Sequence, residues 1–350
     1  MLRKLSLLFL FALITSSCAE RSRPAGPDAG DDDDDSGLSD DDDSGVSDDD
    51  DSQGDDDDDS QGDDDDSQGD DDSQGDDDSE VEQDPCANEA RQLIYVIDHD
   101  YRLHSFSPTS QQFSLIGPLN CPAGPSWSEW GNVGPATPFS MSVDRQARAW
   151  VLYSSGEIFQ VSTQDASCQS TGFVAGQQSF KLFGMGFSAD APGAETDSLY
   201  ISGGDFSLLG TLDPNNARLG SISIPTMAVT SHGPVPSGEF TPELSGNGDG
   251  DLFAYYPGVG GATIRSLDKS SGSPLHSWSL PASSGTVAAW AFAYWGGSFY
   301  IFLSTGDLFS TSANVYRFDP NSGSYEQILS NTGNVVVGAG VSTCAPVSAD

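Results

Sequence analysis

Near its C-terminal end the chain reads Val315-YRFDPNSGSYEQIL, and 51 residues earlier it reads Ile264-RSLDKSSGSPLHSW. In both, a short apolar run enters an Asp-x-x-x-Gly turn and leaves as a second run. Asp, Pro, Asn, Ser and Gly supply the turn geometry, so each segment is a strand, a tight turn and a strand. Three earlier segments fit the same pattern: Arg102-LHSFSPTSQQFSLI, Glu157-IFQVSTQDASCQST and Leu209-GTLDPNNARLGSI. Their equivalent apolar positions, Phe106, Val161, Leu212, Leu267 and Phe318, are spaced by 55, 51, 55 and 51 residues. Self-similarity at that spacing points to a repeat architecture whose unit is larger than one hairpin.

Two more strands precede each hairpin. They are Ser140-MSVD and Ala149-WVLY in the second unit, Gly184-MGFS and Ser198-LYIS in the third, Phe240-TPEL and Asp251-LFAYY in the fourth, and Ala289-WAFAYW and Ser298-FYIFL in the fifth. The first unit has only Leu93-IYVID, while an unpartnered Val335-VVGAGVS, similar to Gly184-MGFS, ends the chain. With almost no 3.6-residue period after Leu93, the fold class is all-β: five units of four strands, the C-terminal strand completing the first unit and leaving no open edge. Residues 90 to 345 thereby resemble the β-propeller superfamily, with turns similar to those of quinoprotein-like, NHL and kelch propellers. The quinoprotein Thr-Gly-x-x-x-Trp pattern and the Trp-Asp dipeptide of WD40 blades are absent, so the resemblance implies neither a bound quinone nor a WD40-type partner.

The resemblance implies that ligands meet the face made by loops from each outer strand to the next inner strand and from second to third strands. These are Pro122 to Pro138 with Trp127 and Trp130, Val174 to Phe183, Pro225 to Gly238 with His232, Asp98 to Tyr101 with His99, and Gly203 to Ser207 with Phe206. Trp127 and Trp130 are candidate stacking platforms for a sugar or peptide, or else caps on the core beneath a long loop. Some five-bladed propellers are glycoside hydrolases with carboxylates on their inner strands, which makes Asp144, Asp190 and Glu243 the candidates for that chemistry. Asp144 and Asp190 sit at strand ends, where acids commonly satisfy turn amides. Asn247-Gly-Asp249-Gly-Asp251 resembles the opening of a calcium loop but has Leu252 at the required Gly, so it reads as a hairpin turn. Asp98, His99, Asp100 and His104 form a weak metal pattern, and no resident cofactor or metal is expected. No Ser-His-Asp order, phosphate loop or basic patch occurs.

Residues 86–350 contain Cys86, Cys121, Cys168 and Cys344, an even number without a Cys-x-x-Cys, so disulfides are expected. Of three connectivities, Cys86 with Cys344 is chosen because the last strand ends where the first begins. Cys121 with Cys168 follows by exclusion, although the strand order puts them at opposite ends of neighbouring units.

Residues 1–17 read as an export signal, with Arg3 and Lys4, an apolar Leu5 to Ile14, and Thr15-Ser16-Ser17. The triplet before Cys18 resembles the lipobox of bacterial lipoproteins, which implies an acylated Cys18 and, with Ala19 following, an outer-membrane address. Cleavage after Ala19 and secretion is the alternative. Residues 18–85 are an acidic linker of Asp runs joined by Ser-Gly or Ser-Gln-Gly. Of the chain's 54 acids, 32 lie between Asp28 and Asp84 with no Lys or Arg among them. Such a segment has nothing to bury, so disorder is expected, with diffuse Ca²⁺ binding at most. The formal charge of −41 excludes nucleic acid and an anionic membrane face as electrostatic partners. Apart from the N-terminal run no apolar stretch is long enough to span a membrane, so a lipid anchor is the one membrane link expected. The whole reads as a surface-held, monomeric binding module for a glycan or protein. A secreted glycan hydrolase and a passive envelope module are the alternatives.

Overall fold

The structure, a computed structural model, describes residues 86–130, 134–207, 212–283, 285–306 and 311–348. The export signal, Cys18, the acidic linker with its calcium expectation, and the side chain of Trp130 lie outside the described residues.

Among the described residues twenty strands form five antiparallel four-stranded sheets, which are the blades of a propeller. Blade one holds β1 (Ile94–Asp98), β2 (Arg102–Ser107) and β3 (Gln112–Pro118). Blade two follows with β4 (Pro138–Val143), β5 (Arg148–Tyr153), β6 (Ile158–Ser162) and β7 (Cys168–Ser170). Blade three holds β8 (Leu182–Ala189), β9 (Asp197–Gly204), β10 (Arg218–Ser223) and β11 (Ala228–Pro234), and blade four β12 (Glu243–Gly246), β13 (Leu252–Tyr256), β14 (Thr263–Leu267) and β15 (Pro274–Ser279). Blade five holds β16 (Thr286–Trp295), β17 (Ser298–Gly306), β18 (Thr311–Phe318) and β19 (Tyr325–Leu329), after which β20 (Val336–Val341) returns to pair with β1. The last strand is therefore the innermost strand of the first blade, and β20, β4, β8, β12 and β16 pack in a closed ring around the axis.

Period-two alternation explains how the ring holds together. A strand in a blade has neighbours on both faces, so both sets of side chains are apolar. On β1, Ile94 and Val96 pack towards blade five with Phe302 and Val315, while Tyr95 and Ile97 pack towards blade two with Met141 and Val151. Each of the five blade interfaces has a core cluster of this kind. Towards the axis the strands converge, and there only small residues fit. A Cβ on Gly340 would stand 2.7 Å from the Ser142 carbonyl carbon and the Val143 nitrogen of the neighbouring inner strand.

The third unit differs from its sequence reading. Leu212 is not in a blade strand: it makes an isolated bridge to Phe206, and Asp213–Asn216 is a 3-10 turn capped by the Asp213 side chain. The hairpin is β10–β11, ten residues further on, with Ile222 opposite Leu199 as Val161 is opposite Ala149. His232 accordingly lies on the outer strand β11, not in a face loop. The inner strand of the fourth blade begins at Glu243 rather than Phe240.

Two disulfides join Cys86 to Cys344 and Cys121 to Cys168, with Cα separations of 5.0 and 5.2 Å. The second pair overcomes the apparent mismatch of strand ends through twist. Each strand pair turns by roughly 20–25°, so across a blade the outer strand lies roughly 60–75° from the inner one and runs tangentially towards its neighbour. The end of β3 thus reaches the β6–β7 turn, where a Cβ on Gly117 would meet Ala166 at 3.3 Å. Two such bonds belong to an oxidising, extracytoplasmic compartment. Among the described residues no helix is long and apolar enough to cross a membrane.

Candidate functional site

The loops from outer to inner strands and from second to third strands share one face, called here the upper face. Two of the expected ligand residues, Trp127 and Phe206, come together there, but around a lysine of the same chain. Lys181 Nζ lies 5.3 Å from each ring centroid and 3.1 Å from carboxylate oxygens of Glu129 and Asp205. Burial opposes the charge, and the two carboxylates outweigh it, so the Lys181 pKa is raised. The Trp127 ring also rests on Gly156 and Gly176, and its backbone N–H donates to Ser154 O at 3.0 Å. Trp127 is thus a packed strut of three loops, not an open platform. His99 is exposed and pairs with Asp100 at 3.3 Å. His232 meets Ser221 Oγ at 2.9 Å over the Tyr200 ring, and burial lowers its pKa.

The three candidate carboxylates separate. Asp144 follows β4 on the lower face, where Oδ1 accepts from the Gln146 and Arg148 backbone N–H groups and Oδ2 from Arg148 Nε and Trp150 Nε1 at 2.8 and 3.0 Å. Asp98 repeats this arrangement, accepting from Asp100 and Arg102 N–H and pairing with Arg102 Nε and His104 Nε2 at 2.8 and 2.9 Å. Burial opposes ionisation of Asp98, and these partners outweigh it, so its pKa is lowered. Both acids hold turns, which also removes Asp98 and His104 from a metal reading. Among the described residues no group of three or more His, Cys, Asp or Glu is placed to hold a metal. Asp190 is also at the lower face, taken by Thr196 and Ser198 hydroxyls.

Glu243 begins β12 at the upper end of the axis. Ser140 Oγ donates to its Oε2 at 2.8 Å, and Ser140 is four residues before Asp144 on the same run of chain. At about 3.3 Å per residue that is roughly 13 Å, and Asp190, six beyond Gly184, is roughly 20 Å away along its strand. Paired glycosidase carboxyls stand roughly 5–10 Å apart, so Glu243 pairs with neither. Glu243 is 6 % exposed, and burial pushes its pKa well above the ordinary range against the opposing hydrogen bonds of Ser140 and Met185 N–H. It lines a cavity of about 250 Å³ with Thr137, Pro138, Phe139, Ala288, Ala289, Trp290 and Val337.

A larger cleft, about 420 Å³, opens on the lower face between blades four and five. Its wall is aromatic: Trp278 lies 4.4 Å from His276, 6.4 Å from Phe253 and 5.7 Å from Phe299 between ring centroids. Tyr294 stacks on Phe253 at 5.0 Å, and Asp251, Ser266 and Asn321 add polar groups at the rim. The sequence reading looked to the other face and missed these residues. One local signal was available: His276 and Trp278 are two apart on the outer strand β15, so they share a face.

No family model and no curated protein matches this chain. Among solved structures it is similar to hydrazine synthase of Kuenenia stuttgartiensis, at 12 % identity and a TM-score of 0.35 over 67 % of this chain and 64 % of that one. TolB from Acinetobacter baumannii gives 12 % and 0.36 over 67 % and 52 %. A thermostable family-43 glycoside hydrolase gives 12 % and 0.40 over 62 % and 76 %. The chain spans just under two thirds of the first of these and about half of the second.

Proposed function

We propose that this chain is an exported surface protein whose propeller binds a glycan. In this reading residues 1–17 direct export, Cys18 carries the acyl anchor, and residues 18–85 hold the domain away from the lipid. The two disulfides support export. The observation that carries the binding reading is the cleft between blades four and five. An indole and a ring of aromatic edges offer the apolar faces of a sugar a stacking surface, and Asp251, Ser266 and Asn321 are placed to accept and donate to its hydroxyls. Binding without turnover is favoured over hydrolysis because Asp144 and Asp190 are engaged in turns and, among the described residues, Glu243 is the one carboxyl lining its cavity.

The test is a glycan array with the mature protein, repeated with Trp278→Ala. A bound glycan whose signal falls at least tenfold in the variant supports the cleft. Unchanged binding removes it, and release of reducing ends from the array would revive the hydrolase alternative. Cys18→Ser moving the protein from membranes to the soluble fraction is the companion test of the anchor.

A further inference from the structure

The upper cavity poses a different problem from the cleft. The five innermost strands, β4, β8, β12, β16 and β20, contain no Lys, Arg or His and one carboxyl, Glu243. The other titratable side chain on them is Tyr294, which belongs to the lower cleft and donates to Val347 O at 2.8 Å. From β4 and β8 Glu243 receives only the Ser140 hydroxyl and the Met185 N–H, and Glu239, on the preceding loop, accepts from Val259 N–H. Among the described residues no cation balances it and burial disfavours its charged form, so its pKa is raised, and the protonated acid is the form with a proton to donate. With Oε2 accepting from Ser140, that proton belongs on Oε1.

A second donor lines the same cavity. The Trp290 indole N–H is buried with no acceptor among the described residues. An unpaired buried donor is costly and calls for an explanation. Among the described residues the remaining wall is Thr137, whose hydroxyl donates to Ser154 Oγ at 3.4 Å, with the apolar Pro138, Phe139, Ala288, Ala289 and Val337, and it offers no charge. Two donors in an apolar cup suit a neutral acceptor next to a methyl group. At about 250 Å³ the cup is smaller than a whole-ligand pocket and takes a side group.

We propose that the axial cavity binds the acetamido group of an N-acetylated sugar, with its carbonyl oxygen accepting from Glu243 and Trp290 and its methyl against Phe139 and Val337. The sugar class rests on the glycan reading, but the site is on the opposite face from the cleft. The linkage has a definite sign. The protonated Glu243 donates, so affinity is full at low pH and falls as pH rises through the Glu243 pKa. Glu243→Gln keeps a donor of the same shape and removes the titration.

The experiment is calorimetric titration of the mature protein with chitotriose and with cellotriose, which lacks the acetamido group and is equally uncharged, across acid to mildly alkaline pH. Chitotriose is expected to bind at least tenfold more tightly than cellotriose, with affinity falling as pH rises. Glu243→Gln is expected to keep binding and lose the pH dependence, and Trp290→Phe to weaken binding about tenfold. Equal binding of the two sugars, or affinity rising with pH, overturns the proposal while leaving a Trp278-dependent glycan site standing. Loss of binding in Trp278→Ala with none in Trp290→Phe has the same meaning. If Trp290→Phe does not fold, the comparison of wild type with Glu243→Gln still decides the matter.

Discussion

Breaking the Cys86–Cys344 bond tests the ring closure directly. The bond spans a sequence separation of 258, while Cys121–Cys168 spans 47. In the loop-entropy relation the first restrains the unfolded chain by about 5.6 kcal/mol and the second by about 4.1 kcal/mol at 25 °C. Native-state relaxation reduces both, so losses of about 2 to 5 kcal/mol are expected, with the longer loop costing more. Cys86→Ser, Cys344→Ser and the double variant should lose the same amount, because all three remove one bond. The assay is equilibrium unfolding in urea, read by tryptophan fluorescence. Closure also relies on non-covalent ties at this corner: Gln92 Nε2 donates to Cys86 O and Cys344 O at 2.9 and 3.2 Å, and Trp295 Nε1 donates to Gln92 O at 2.7 Å. Each variant should therefore remain folded, whereas truncation before Asn334 removes β20 and should give an aggregating product. Additive losses in Cys86→Ser and Cys344→Ser, or a well-folded truncation, would refute the closure as described.

Three further outcomes are expected. Glu243→Gln should raise stability progressively as pH rises above the ordinary carboxyl value of 4.5, because the wild-type acid has a raised folded-state pKa and the unfolded chain ionises first. The gain, seen as a melting-temperature difference that grows with pH, is bounded at about 4 kcal/mol near pH 7.5, from about 1.36 kcal/mol per pH unit. Asp98→Asn and Asp144→Asn should each cost about 2 to 3 kcal/mol in urea unfolding, and by similar amounts, since the two carboxylates satisfy the same pattern of donors. Gly340→Ala should lower stability by about 1 to 3 kcal/mol through contact with Ser142 and Val143, while Gly260→Ala, with open space at its Cβ, should change the melting temperature little.

The blades were legible because most outer hairpins carry their turn chemistry locally. Asp268 and Asp319 each accept from backbone N–H groups two residues on, as Asp-x-x-x-Gly predicts. The third hairpin was misplaced for the same reason. Asp213-Pro214-Asn215-Asn216 has equally strong turn chemistry but lies in the β9–β10 loop, whereas the true β10–β11 turn holds Pro225 and a positive-φ Met227 and gives no such signal. The Cys121–Cys168 geometry was hidden because a strand order ignores twist, and twist is what brings β3 to the β6–β7 turn. Trp127 and Phe206 were found, but not the Lys181 ammonium that occupies their faces, since the three lie in different loops. The lower cleft was missed because it is assembled from residues between Asp251 and Asn321, on strands and turns of two blades.

Glu243 is where local and global demands on the sequence disagree, and the disagreement has a direction. The axis calls for small side chains, and the inner strands supply them at Gly186, Gly246, Gly338 and Gly340. A glutamate there costs desolvation and, among the described residues, receives no counter-charge. Room has nevertheless been made for it: a Cβ on Gly184 would meet the Glu243 Cα and stand 3.1 Å from its Oε2. Ser140, on the other side, supplies a hydroxyl of the right length. An acid kept only to tie β4 to β12 would be better replaced by a serine or glutamine, either of which hydrogen-bonds without an ionisation penalty. Its presence in a cavity that an unpaired indole also lines is the local inconsistency that motivates the proposed axial site. The same reasoning sets Asp144 and Asp190 apart: also carboxyl residues following inner strands, they are engaged by groups of their own turns and leave nothing to be explained.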